Sequence, residues 1–258
     1  MTDFVPQLRT ILHPSDTPVA DVYWITHAGG GTNTLAHRVR VISPKTSLWL
    51  SAPTMPAREE FLELVFDGDL CQMADSLSEQ IAQHHQQPER GSLPLVMIGH
   101  SFGSVLAYET TRRLISRGLI PHRLTVLSFP AADRMSYDKQ LHTLDDQELI
   151  SEVDEMFGGV PENIRDDPAA LKFFVPALRF DLGMLERYEH NETGQVIDVP
   201  ITAICGTDDR AVDLADMQRW SLMTESTFRL RSMPGDHFFP LERMAEVLEV
   251  ATWDALPG

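Results

Sequence analysis

Short runs rich in β-branched and aromatic residues recur along the chain: "DVYWIT" at 21–26, "TSLWLSA" at 46–52, "LPLVMIG" at 93–99, "RLTVLSF" at 123–129, "VPITAICG" at 199–206 and "STFRLRS" at 226–232. Stretches with helical apolar spacing lie among them near 69–86, 101–117, 213–223 and 240–254. Strands separated by helices pair in parallel, because each crossover returns the chain to the same end of the sheet. The alternation therefore predicts an α/β protein with a mainly parallel sheet and helices on both faces. It stops between about 131 and 195, where "TLDDQELISEVDEMF" and "DPAALKFFVPALRFDLGMLERY" read as helices and no run reads as a strand. The expectation is one domain over 1–258, a length that one continuous core can serve, carrying a helical insertion at about 131–195.

Charge narrows the range of partners. The formal net charge is −17, and residues 133–198 alone hold 16 acidic and 6 basic side chains. Such a chain repels phosphate backbones, so nucleic acid is not an expected partner. Cys71 and Cys205 lie far apart with no zinc-type spacing, so they read as core thiols, and neither a metal nor another cofactor is expected. No apolar run approaches the ~18 residues of a membrane span, and the first residues lack a basic, then apolar, leader. The expectation is a soluble cytoplasmic protein that does not engage membranes.

"GHSFG" at 99–103 joins a strand directly to a helix. Flanking glycines remove the side chains that would collide in so sharp a turn, which would present the Ser101 hydroxyl above the sheet edge at the positive end of a helix. The same serine could serve only as a helix cap. What favours chemistry is the order of residues further on. "ITAICGTDD" ends a strand with two carboxylates, and "SMPGDHFF" follows the last strand with a histidine entering a helix. Ser101, Asp209 and His237 thus follow the Ser…Asp…His order of α/β-hydrolases, with Asp209 preferred over the adjacent Asp208 by its offset from the strand end. "THAGGG" at 26–31 follows the first clear strand, and its small residues suit an oxyanion loop. The backbone N–H groups of Ala28 and Phe102 are the expected donors.

These strings together, with "MPAREEF", "GHSFGSVLAYETTRRL" and "LHTLDDQEL…FGGVPE…PALRFDLGMLERY", resemble the free-standing type II thioesterases that accompany polyketide and nonribosomal peptide synthetases. The resemblance runs from about residue 22 to the C-terminus. It implies an α/β-hydrolase fold with Ser101 as nucleophile, His237 as base and Asp209 as its partner. It also implies that the insertion is a lid over an acyl pocket, and that the substrate is an acyl thioester on the phosphopantetheine arm of a carrier protein. Three departures stand out: Pro56-Ala57-Arg58 replaces Pro-Gly-Arg, "SFPAADR" at 128–134 replaces a Ser-Gly-Arg, and the N-terminal lead is longer than usual. Helical clustering marks Phe173, Phe174 and Met184 as candidates for the acyl pocket. Carrier proteins of such systems tend to be acidic, so docking would need a local basic patch, with Arg58, Arg112, Arg113 and Arg117 as candidates. The same machinery would serve a small-ester hydrolase or an acyltransferase, and a non-catalytic binding protein is a more distant alternative.

Overall fold

Strands buried on both faces read as continuous apolar runs, and four such strands fill the middle of a seven-stranded sheet. In the computed structural model, which describes residues 4–40, 47–64, 66–132, 140–160, 165, 167–190 and 196–253, the strands are β1 (Gln7–Leu12), β2 (Ala20–Ile25), β3 (Leu48–Thr54), β4 (Leu95–His100), β5 (Arg123–Leu127), β6 (Ile201–Gly206) and β7 (Phe228–Met233). Their order is β1-β3-β2-β4-β5-β6-β7. All neighbours pair in parallel except β1, which runs antiparallel to β3. Every residue of β2, β4, β5 and β6 is buried, whereas β1 and β7 at the edges are partly exposed.

The two-residue period of a strand sorts the core into two layers. Tyr23, Ile25 and Met97 point to one face, against Met73 and Leu77 of α2 (Leu70–His85) and Val105 and Leu106 of α3 (Phe102–Ser116). Val22, Trp24, Val96 and Ile98 point to the other, against Leu35 of α1 (Thr32–Val39) and Val247 and Leu248 of a C-terminal helix (Met244–Thr252). Among the described residues between β5 and β6 lie the helices Asp146–Phe157 (here α4) and Pro168–Glu186 (here α5). They share a separate apolar cluster that includes Leu149, Val153, Leu178 and Leu182 and reaches Ala28. Of the expected insertion, residues 133–139, 161–164, 166 and 191–195 lie outside the described residues, as does Thr46 of the second predicted strand.

At the N-terminal end of β2, the fully buried Asp21 gathers partners from several elements. Its carboxylate accepts from the Tyr23 hydroxyl at 2.9 Å, meets His85 Nδ1 at 2.8 Å, and is ion-paired with the guanidinium of Arg90. Arg90 also donates to Thr10 Oγ1 at 2.9 Å and stacks 4.2 Å over the Trp49 ring. Burial and the neighbouring Asp21 push the Tyr23 hydroxyl well above its ordinary pKa, so it stays a donor. This network joins β1, β2, β3 and the end of α2.

Candidate active site

Between β4 and α3 the chain reverses within one residue, Ser101, whose φ of 53° and ψ of −124° are outside the usual L-residue regions. Two glycines make that turn possible. A methyl on Gly99 would sit 2.2 Å from the carbonyl oxygen of Gly103, and one on Gly103 would sit 2.3 Å from that of Ile25. The turn is closed by Ser101 N–H donating to Leu127 O at 2.9 Å and by the Ser104 hydroxyl donating to Gly99 O at 2.9 Å. The Ser101 side chain makes no cap to α3, so the helix-cap alternative fails.

The Ser101 hydroxyl lies 2.9 Å from His237 Nε2, and His237 Nδ1 lies 3.0 Å from Asp209 Oδ2. With a proton on Nδ1 donated to the carboxylate, Nε2 is left as the acceptor for the serine hydroxyl. Asp209 Oδ1 accepts the amides of Ala211 at 3.0 Å and Val212 at 3.2 Å. Burial raises the Asp209 pKa, but its interaction with His237, together with Ser128 and the hydrogen bond from the Ala211 amide, outweighs it and holds the carboxyl below its ordinary value. Asp208 is exposed and accepts instead from Thr207. The structure thus brings Ser101, Asp209 and His237 together and leaves Asp208 outside.

The carbonyl of His237 meets His100 Nε2 at 2.8 Å, and the rings of His27, His100 and His237 follow one another at 5.2 and 5.6 Å. Burial, then the neighbouring His237 and Arg58, drives the His27 imidazole from 6.5 down to about 3, and burial lowers His100 as well. Below pH 6.5 the unfolded chain takes up protons at these positions that the folded protein refuses. Their contribution to stability is therefore complete above about pH 6.5 and is lost as pH falls toward 3. We expect the unfolding free energy measured in urea to decline from about pH 6.5 downward, above the carboxylate range, by up to about 1.4 kcal/mol per pH unit for each such group, and the midpoint to fall with it. A midpoint flat between pH 6.5 and 5 would contradict this.

Ala28 and Phe102 line a small cavity together with Ser101, His27 and His237, and no hydrogen bond among the described residues engages either amide. The cavity holds about 40 Å³, small beside the roughly 300 Å³ or more of common ligand pockets. Its walls are apolar: Phe129, Val153, Phe157, Leu178, Leu182 and Leu185. The Phe157 ring lies 4.8 Å from that of His237.

The expected acyl-pocket residues need correction. Phe173, Phe174 and Met184 do not line the cavity. Helical spacing turns Leu178, Leu182 and Leu185 inward, which leaves Phe173 66% exposed on the outer side. Phe174 packs instead against Gly29 and the helical cluster, and Met184 is buried on the sheet side.

Arg58 also departs from expectation. It is 5% exposed and cannot belong to a docking patch. Its Nη2 pairs with the fully buried Asp181 of α5 at 2.6 Å, and its Nη1 donates to Gly30 O. Ala57, where glycine is usual in the resembled family, holds φ at 61°, a left-handed conformation that costs an L-residue about 1–2 kcal/mol. Arg112 and Arg113 are bound to Glu109, Arg113 also to Asp75, and Arg117 to Ser78. All three lie at the end of α3 away from Ser101, a helix of 15 residues and thus about 22 Å long.

A family model described as a thioesterase domain matches residues 21–252. The probable cadicidin biosynthesis thioesterase of Streptomyces griseus is 27% identical over 235 residues, which span 91% of this chain but only 62% of that relative. The gramicidin S biosynthesis protein GrsT of Aneurinibacillus migulanus is 27% identical over 229 residues, 88% of this chain and 86% of the relative. Among solved structures, the type II thioesterase BorB from the borrelidin biosynthetic cluster superimposes with a TM-score of 0.80 at 26% identity, covering 96% of this chain and 97% of that one. The likeness identifies the fold as that of the α/β-hydrolases. No helix among the described residues is long and apolar enough to cross a membrane.

Proposed function

The chain belongs to the thioesterase family, and from that premise we propose that it hydrolyses acyl or aminoacyl thioesters on the phosphopantetheine arm of carrier proteins in polyketide or nonribosomal peptide assembly, removing aberrant acyl groups. The observation that carries the reading is the continuous Ser101–His237–Asp209 hydrogen-bonded chain, at 2.9 and 3.0 Å, beside two amides that no hydrogen bond among the described residues engages and an apolar cavity.

In this reading Ser101 Oγ attacks the thioester carbonyl while His237 Nε2 takes its proton, and the tetrahedral oxygen rests on the N–H groups of Ala28 and Phe102. Collapse breaks the C–S bond, and the proton on His237 is available to the departing sulfur. With a thiol pKa near 8.5, that sulfur leaves more readily than an amine would. Water, deprotonated by His237, then attacks the acyl-serine, and the acid leaves as the hydroxyl of Ser101 is restored. Asp209 holds the imidazole in the required tautomer throughout. The chain acts as a single domain in which α4 and α5 form a lid, and its free thiols suit a cytoplasmic location.

Carrier proteins loaded with acetyl, aminoacyl and longer acyl groups, followed by intact mass, test the proposal. The expected result is loss of the acyl mass with recovery of the free pantetheine thiol. Retention of every acyl group, or its passage to an added alcohol or amine in place of water, would overturn it. The cavity walls add a second expectation. Phe157→Ala removes the ring that bounds the cavity beside His237, and should raise kcat/KM for octanoyl relative to acetyl thioesters by roughly tenfold, since an added methylene in an apolar pocket is worth about 1–3 kcal/mol. An unchanged ratio would show that another wall limits chain length.

A further inference from the structure

The proposed donor Ala28 sits in a tight turn. Gly30 N–H donates to His27 O at 2.9 Å, and Gly29 adopts φ +77°, the sign that the third residue of a type II turn requires. The amide of Ala28 points wherever this turn points, and no side chain of the loop itself holds it. What holds it comes from two distant segments. Asp181 Oδ2, on α5, accepts Gly29 N–H at 2.8 Å, and Asp181 Oδ1 pairs with Arg58 Nη2 at 2.6 Å. Arg58 Nη1 donates to Gly30 O, and Arg58 Nε donates to Pro56 O at 3.1 Å. The carboxylate and the guanidinium therefore grip the turn on either side of one peptide unit.

Stability alone does not account for such a pair. Desolvation of two buried charges consumes most of their attraction, and apolar replacement of both is often neutral for folding. Its distinctive property is direction: two charge-assisted bonds, to Gly29 N–H and Gly30 O, constrain the orientation of the loop. We propose that Arg58 and Asp181 are positioning residues that orient the Ala28 amide for the oxyanion, so that the oxyanion site is complete only when α5 is seated on the loop. The proposal rests on the functional reading given above. It concerns transition-state stabilisation and not substrate affinity, because neither side chain lines the cavity.

The double variant Arg58→Met/Asp181→Leu separates geometry from folding, since apolar replacement of both charges is compatible with the fold. Its readouts are the thermal midpoint, the rate constant for fluorophosphonate labelling of Ser101, and kcat and KM on an acyl-N-acetylcysteamine thioester. Labelling needs the oxyanion site but no thioester. A displaced donor costs about 10²-fold or more. The expected result is a labelling rate and kcat each about 10²-fold lower, with KM changed less than threefold. Asp181→Leu alone should lose as much as the pair, because the residues act as one unit. Arg58→Lys, which keeps a cation for Asp181 but not the fork to Gly30 O, should fall between. A folded double variant that labels and turns over like the parent overturns the proposal, as does a rise in KM at unchanged kcat. A parent protein that labels at Ser101 yet hydrolyses no thioester overturns the functional reading instead, and leaves the labelling comparison to decide this one.

Discussion

Ser101→Ala lowers kcat for thioester hydrolysis by an expected factor on the order of 10⁶, with a residue of catalysis, about 10³-fold over water, left to the oxyanion donors and binding. The hydroxyl has one hydrogen-bonding partner among the described residues, His237 Nε2 at 2.9 Å, and makes no cap to α3. Its removal therefore deletes the proposed nucleophile without unfastening the turn, which is held by the Ser101 amide and the Ser104 side chain. Alanine inherits the backbone strain at φ 53°, so the thermal midpoint should stay within a few degrees of the parent. His237→Ala should cost nearly as much, and the double variant scarcely more, since either change disables the same proton transfer. Single-turnover measurements with a loaded carrier protein resolve the effect. A Ser101→Ala enzyme retaining a tenth of the parent rate would exclude an acyl-serine route.

The largest expected loss of stability comes from the opposite end of the sheet. Asp21→Ala strands the Arg90 guanidinium, which is buried and loses its ion pair, and it also leaves the Tyr23 hydroxyl and His85 without their shared acceptor. Breaking one side of a buried pair costs about 3–5 kcal/mol, which in a chain of this size lowers the thermal midpoint by roughly 6–20 °C. Joint replacement, Asp21→Leu/Arg90→Met, removes both charges and should recover part of that loss. Calorimetry and urea unfolding of the three proteins test the point. A single variant within 1 kcal/mol of the parent would mean that water reaches Arg90 and solvates it.

The six strands predicted from apolar runs all occur, displaced by no more than two or three residues at their ends, because buried parallel strands carry a composition that few other structures need. β1 was not legible. Its sequence, QLRTIL, is half exposed and interrupted by Arg9, as an antiparallel edge strand can be. The helix predicted at 240–254 divides at Arg243 into two pieces, and that at 213–223 is helical in the α sense only over Leu214–Gln218. Ser101, Asp209 and His237 were legible because each follows the end of a strand in a set order, and strand ends on a parallel sheet converge. The lining of the cavity was not. The α5 sequence LKFFVPALRFDLGML is apolar nearly all round, so its pattern does not say which side faces the cavity. The pairing of Arg58 with Asp181 spans 123 positions, and nothing local in either segment distinguishes a buried charge from a solvated one.

β2 carries Asp21 at its start, and the loop with His27 and Ala28 leaves from its finish, about 20 Å away at the rise of an extended strand. One strand thus anchors the molecule at one end and carries the candidate site at the other, with the buried Val22, Tyr23, Trp24 and Ile25 between. Under the proposed function, the cavity walls on α4 and α5 can be exchanged to accept other acyl groups while the anchoring end keeps its melting behaviour. Stabilising changes made around Arg90 would, by the same separation, leave turnover as it was. A protein so arranged is a favourable starting point for laboratory evolution toward new chain lengths.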